Sequence, residues 1–166
     1  MADLSIYLFW TGLLTAVLTS GAYLAYVASA SVSVRRLSAQ TPAGTLTLST
    51  ATGVPNPGLG RLATMLSVLV VLALGGAVAA RWGAVGHAPM SNLYEFTVTF
   101  AFGMAAAYLA FEAGTQQRRM GAIAMPLVAA MLGVATLFPD EIVPLVPALQ
   151  NGPLLTLHVS VMMISY

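Results

Sequence analysis

Of the chain's 166 residues, 58% are hydrophobic and only 7% charged, and the mean hydropathy is +0.87. Such a balance excludes a water-soluble globular domain and marks an integral membrane protein. Six arginines against five acids leave a net charge of +1, which argues against a nucleic-acid partner, and the absence of cysteine excludes disulfides, thiolate metal sites and a C-x-x-C-H haem attachment site.

The charges are few enough to delimit the spans. Leu4–Val34, Leu62–Ala80, Phe96–Phe111 and Gly121–Pro139 carry none, and a spanning helix needs ~20 apolar residues. The expected fold is therefore an all-α multi-pass bundle in a single membrane domain, with helices at about 5–28, 62–82, 93–113 and 121–138 and the start of a fifth at 153–166. About fourteen residues are too few to cross a ~30 Å hydrocarbon core at ~1.5 Å each, so the sequence reads as a fragment cut inside its last helix.

The first span lacks the basic n-region of a signal peptide and has too long an apolar core, although Ala28-Ser29-Ala30 resembles a cleavage site. Residues 29–60, rich in Ser, Thr, Gly and Pro without apolar periodicity, read as a flexible cytoplasmic linker. Arg35, Arg36, Arg61, Arg118 and Arg119 fall on one side and only Arg81 on the other, so the positive-inside rule places the N-terminus outside. The loops holding His87 and leading to His158 then face outward as well.

Between the second and third spans, "GHAPMSNLYEF" (Gly86 to Phe96) offers Asn92 as a helix cap and Glu95, three residues on, as the reciprocal member of a capping box. Capping accounts for both residues, while support of an outer ligand site remains open for Asn92, Glu95 and His87. Trp82, Tyr94 and Phe96 fit an interfacial aromatic belt. After the third span, "GTQQRR" supplies Gly114 as a helix stop and sets Arg118 and Arg119 at the inner surface. Glu112 can pair with them there, although solvated interfacial charge is the simpler expectation.

"PDEIVPLVPALQNGP" holds four prolines in fifteen residues and cannot form a continuous helix. Pro153 suits the first position of the next helix, which puts His158 roughly 8 Å along its axis at ~1.5 Å per residue. An ionisable side chain on a spanning helix is a functional candidate, although a structural, hydrogen-bonded histidine is the alternative at this depth. No nucleophile–base pair, carboxylate dyad or phosphate loop accompanies it, so ligation is the chemistry left, and a neutral imidazole suits haem iron. Met162 lies one turn further on the same face and cannot approach the opposite face of the same ring, so it reads as packing.

"GHAPMSNLYEF" followed some sixty residues later by "LVPALQNGPLLTLHVSVMMISY" resembles the haem-handling membrane subunit of system II cytochrome c biogenesis, the CcsA/ResC type. The resemblance implies His158 as an axial ligand of haem b on the outer side of the plasma membrane. It also implies a CcsB/ResB-type membrane subunit and apocytochrome c as partners, and a place in a cytochrome c haem lyase complex. The family's Trp-rich loop and second outer histidine lie beyond Tyr166, so this stretch alone is expected to be inactive. "QNGPLL" departs from the family's usual Ser and aromatic before the histidine, and Phe96 stands where a Ser often ends the "SNLYE" block. Two other readings stay open: an electron-transfer subunit with a b-type haem between His87 and His158, and a transporter or assembly subunit with structural histidines.

Overall fold

The computed structural model describes residues 1–39, 54–140 and 152–165, and all the regular structure among them is helical. Helix α1 covers Ala2–Ala39, α2 Pro57–Val85, α3 Leu93–Thr115, α4 Gly121–Ala135 and α5 Gly152–Ser165, with one turn of 3-10 helix at Arg118–Met120 ahead of α4. Among the described residues, four helical stretches are long and apolar enough to cross a membrane. Helix α1 runs on through residues 29–39, which had been assigned to the linker, because that stretch holds no proline or glycine to stop it. Residues 40–53 of the expected linker, and residues 141–151 of the proline-rich segment, lie outside the described residues.

The helix ends follow local chemistry. Asn56 caps α2 by accepting from the Gly58 amide, with Pro57 in the first turn, where a missing N–H costs no helical bond. At its other end Gly86 adopts φ 75°, a left-handed conformation that glycine takes without strain, and its N–H returns to the Trp82 carbonyl. Helix α3 passes the expected Gly114 stop and ends instead on Gln116 at φ 58°, whose backbone N–H bonds the Glu112 carbonyl. The Gln116 amide nitrogen donates to the Ala113 carbonyl, satisfying another terminal acceptor.

The spans pack through small residues. A Cβ added to Gly12 would lie 2.6 Å from Leu74 Cδ2, so α1 and α2 approach closely there, and their interface is the most extensive in the bundle. Phe9, Ala16 and Tyr23 of α1 meet Val70 and Leu74 of α2, Val98 and Ala105 of α3, and Val128 and Leu132 of α4 in one core. Thr11, Thr15 and Thr19 each return their hydroxyl to the carbonyl four residues earlier, which satisfies polar groups inside an apolar helix. Helix α5, by contrast, packs extensively on none of the four spans.

Toward the end of the bundle that carries the α3–α4 turn, a buried carboxylate joins three helices. Glu112 is 2% exposed rather than solvated. One of its oxygens accepts from the hydroxyls of Tyr23 (2.5 Å) and Tyr108 (2.6 Å), and the other from Thr64 (2.5 Å) and more distantly from Arg118 Nε (3.4 Å). Tyr23 also meets the Ser67 hydroxyl at 3.0 Å, and the two tyrosine rings pack edge to face. Gly121 is required beneath them, since a Cβ there would strike both tyrosines.

Substituting Glu112 with Ala leaves the Tyr108 hydroxyl without its acceptor and takes one partner each from Tyr23 and Thr64, which keep the Ser67 hydroxyl and the Gly60 carbonyl. Each buried group left unsatisfied costs about 1–3 kcal/mol, so the thermal midpoint of the detergent-solubilised protein is expected to fall sharply. Glu112→Gln, which keeps an accepting oxygen, should fall less. Equal midpoints for Glu112→Ala and the unmodified protein would rule out a load-sharing role for the cluster.

Candidate functional site

At the opposite end, the turn from α2 to α3 is built around an ion pair. Arg81, 3% exposed near the end of α2, sets its Nε 3.0 Å from Oε1 of Glu95, itself 2% exposed in the first turn of α3. The other Glu95 oxygen accepts from the Ser91 amide at 2.9 Å and the Ser91 hydroxyl at 2.5 Å. Arg81 Nη2 donates to the Asp140 carbonyl beyond α4, and its guanidinium lies 5.2 Å over the Tyr94 ring. One cation thereby ties together α2, the start of α3 and the segment leaving α4.

Asn92 caps α3 as expected, its side chain accepting from the Glu95 amide at 2.8 Å. Glu95, however, reaches back to Ser91, one residue before the cap, because its carboxylate is shared with Arg81. Asn92 and Glu95 are thus engaged in capping and pairing. Of the expected aromatic belt, Trp82 and Phe96 are exposed, but Tyr94 is buried against Phe9 at 5.4 Å and beneath Arg81. The pairing of Arg81 with Glu95 was missed, although their opposite charges, fourteen residues apart across a short turn, were its signal.

His87 and His158 are placed apart. His87, half-buried, lines a groove of about 460 Å³ between the α2–α3 turn and α5, together with Trp82, Ala88, Pro153, Leu157 and Ser160. The groove-lining positions of α5 share one helix face. At ~100° per residue, His158 lies about 150° around α5 from the centre of that face. His158 is exposed and makes no hydrogen bond or ion pair among the described residues. Met162, expected as packing, is 44% exposed one turn further along. The described residues contain no group of three or more His, Cys, Asp or Glu side chains able to hold a bare metal ion.

Comparison with known proteins gives consistent matches. The chain is 41% identical over 113 residues to the cytochrome c biogenesis protein CcsA of Porphyra purpurea, covering 66% of this chain and 35% of that protein. It is 40% identical over 114 residues to the CcsA of Microcystis aeruginosa, covering 66% of this chain and 34% of the relative. For the CcsA of Synechococcus elongatus the figures are 38% over 122 residues, 69% and 37%. These matches make the chain CcsA-like over about two thirds of its length. It spans about a third of the length of the curated CcsA relatives it matches. No family model matches it, and no solved structure gives a significant match.

In this CcsA-type chain the two segments that carry the resemblance, some sixty residues apart in sequence, meet in space. Gly86, His87 and Ala88 form one wall of the groove, and Pro153, Leu157 and Ser160 the other. Removing the arginine that organises the first wall leaves a buried carboxylate unpaired, which costs about 3–5 kcal/mol. Arg81→Leu is therefore expected to destabilise the detergent-solubilised protein severely. Arg61→Leu, at an exposed position, should stay within about 0.5 kcal/mol. Similar thermal midpoints for the two variants would contradict the role given to Arg81.

Proposed function

We propose that the protein acts in cytochrome c biogenesis by binding haem b in the membrane and presenting it, at the outer face, for attachment to apocytochrome c. The curated CcsA relatives, named as cytochrome c biogenesis proteins, support the process. The observation that carries the site is His158, an exposed imidazole without a hydrogen-bond partner among the described residues, on a helix that packs extensively on none of the four spans. A histidine retained for structure would be expected to engage a neighbour.

The donor set suits haem as a substrate. A bare metal ion needs several protein ligands, whereas iron already held by four pyrrole nitrogens needs only an axial one. Exposed apolar side chains at Leu154, Val161 and Met162 surround His158 on its flank of α5 and offer the macrocycle an apolar wall. Met162, on the same side as the imidazole, is not placed to approach the opposite face of the ring. His158 then holds the iron from one side and fixes the orientation of the plate, so that the client's thiols meet the haem vinyl groups. The chain's contribution is positioning. A CcsB/ResB-type subunit is the proposed membrane partner, and the plasma membrane the proposed location.

An electron-transfer haem held jointly by His87 and His158 is opposed by their placement, because the two imidazoles serve different sides of α5.

In cells depending on the full-length protein, His158→Ala is expected to abolish the accumulation of covalently haem-stained cytochrome c while leaving apocytochrome levels intact. Normal holocytochrome levels would overturn the assignment. This chain holds no cysteine, so its orientation can be tested by single cysteine substitutions at exposed positions, with any cysteine elsewhere in the full-length protein replaced first. Leu93→Cys should react with a membrane-impermeant maleimide in intact cells, and Gln117→Cys only after permeabilisation. The reverse pattern would invert the topology.

A further inference from the structure

The membrane-spanning stretch of α1, Ala2–Ala30, has 29 residues, more than a ~30 Å hydrocarbon core needs at ~1.5 Å per residue, so its first turns stand in the headgroup layer. There Phe9 and Trp10 meet Tyr94 of α3 and Phe138 beyond α4 around a cavity of about 170 Å³, which Thr136 and Asp140 complete. The rings are inclined to one another. Phe9 lies 5.6 Å from Trp10 between centroids at 73°, and 5.4 Å from Tyr94 at 57°, so faces and edges together wall the space. Trp10 is about half exposed, and the cavity therefore borders the lipid.

The polar members of the wall select the ligand. The Asp140 carboxylate forms no ion pair among the described residues, and Arg81 uses only the backbone carbonyl of that residue. The charge of Arg81 is answered by Glu95. Asp140 thus brings an uncompensated negative charge beside aromatic rings, whose faces themselves attract cations. The Thr136 hydroxyl donates to the Gly133 carbonyl at 2.6 Å, which leaves its oxygen free to accept. A carboxylate, a hydroxyl acceptor and aromatic walls together suit an ammonium that has hydrogens to give. At about 170 Å³ the cavity falls below the ~300–1,000 Å³ of sites that enclose a whole drug-sized molecule, so it admits the end of a larger ligand.

We propose that this cavity holds the primary ammonium of a phosphatidylethanolamine-type lipid headgroup. The bilayer supplies that cation at the depth where the cavity lies. Trp10, Leu14, Val17 and Leu18 present one exposed apolar face of α1, along which the acyl chains run. A choline headgroup lacks the hydrogens that Asp140 and Thr136 accept, and it fits less well for that reason. The bound headgroup ties the start of α1 to the segment leaving α4, the same segment that Arg81 holds through Asp140. Lipid composition thereby bears on the end of the bundle that carries the α2–α3 turn. The inference does not depend on haem binding.

The test is native mass spectrometry of the full-length protein, delipidated in detergent and titrated with phosphatidylethanolamine or with phosphatidylcholine of the same acyl chains. One phosphatidylethanolamine should bind at least about tenfold more tightly than phosphatidylcholine, and Asp140→Asn should remove that preference, the loss expected of a hydrogen bond to a charged group. Asp140→Asn keeps the carbonyl used by Arg81, so its thermal midpoint in lipid-free detergent should match that of the unmodified protein. Thr136→Val and Trp10→Leu should each weaken the preference. Asp3→Asn, which removes an exposed carboxylate from the first turn of α1 outside the cavity, should leave it intact. Glycerophosphoethanolamine, the headgroup without chains, should compete only at far higher concentration. Equal affinity for the two lipids, or a preference that survives Asp140→Asn, would overturn the proposal. The same loss in Asp3→Asn as in Asp140→Asn would reduce it to a general effect of surface charge, and competition by the chain-free headgroup at equal concentration would make the occupant a soluble amine; either result would overturn it too.

Discussion

The buried pair of Arg81 and Glu95 is the constraint on which the α2–α3 end of the molecule depends. A lone charge on a membrane helix is costly, so a buried arginine dictates where an anion must lie. Here the anion sits in the first turn of α3, which fixes how tightly the chain must reverse after α2. The remaining donors of Arg81 and the second oxygen of Glu95 then recruit Asp140 and Ser91. The His87 turn takes its shape from that arrangement, and the groove beside α5 takes its wall from the turn.

The other end of the bundle uses a carboxylate differently. Glu112 is surrounded mainly by neutral hydroxyls from α1, α2 and α3, with Arg118 reaching it from the turn beyond. Between these two polar clusters the helices meet through glycine, alanine and branched side chains, which offer close packing but little directional preference. Polar contacts at both ends supply that direction and set the register of the spans.

The all-helical, four-span architecture was legible because lipid tolerates so few charges that composition and spacing nearly define it. The Asn92 cap was also legible, since its signal is local. Residues 29–39 misled because serine content resembles a linker, whereas a helix ends only where something stops it. Glu112 misled for a different reason: its burial depends on Tyr23, 89 positions away, and on Thr64, 48 positions away. No local pattern announces such pairings. The opposite placement of His87 and His158 was likewise hidden, because it depends on how α5 is turned against the α2–α3 loop.

The resulting account gives each end its task. The Glu112 cluster secures the spans, the Arg81–Glu95 pair shapes the His87 turn, and α5 carries an unengaged imidazole beside it. The most direct measurement is the reduced absorption spectrum of the full-length protein purified from membranes, unmodified beside His158→Ala at matched protein amounts. A low-spin haem signal that is diminished or converted to high spin in the variant is the predicted result. An identical low-spin spectrum from both would contradict ligation by His158 and return it to a packing role.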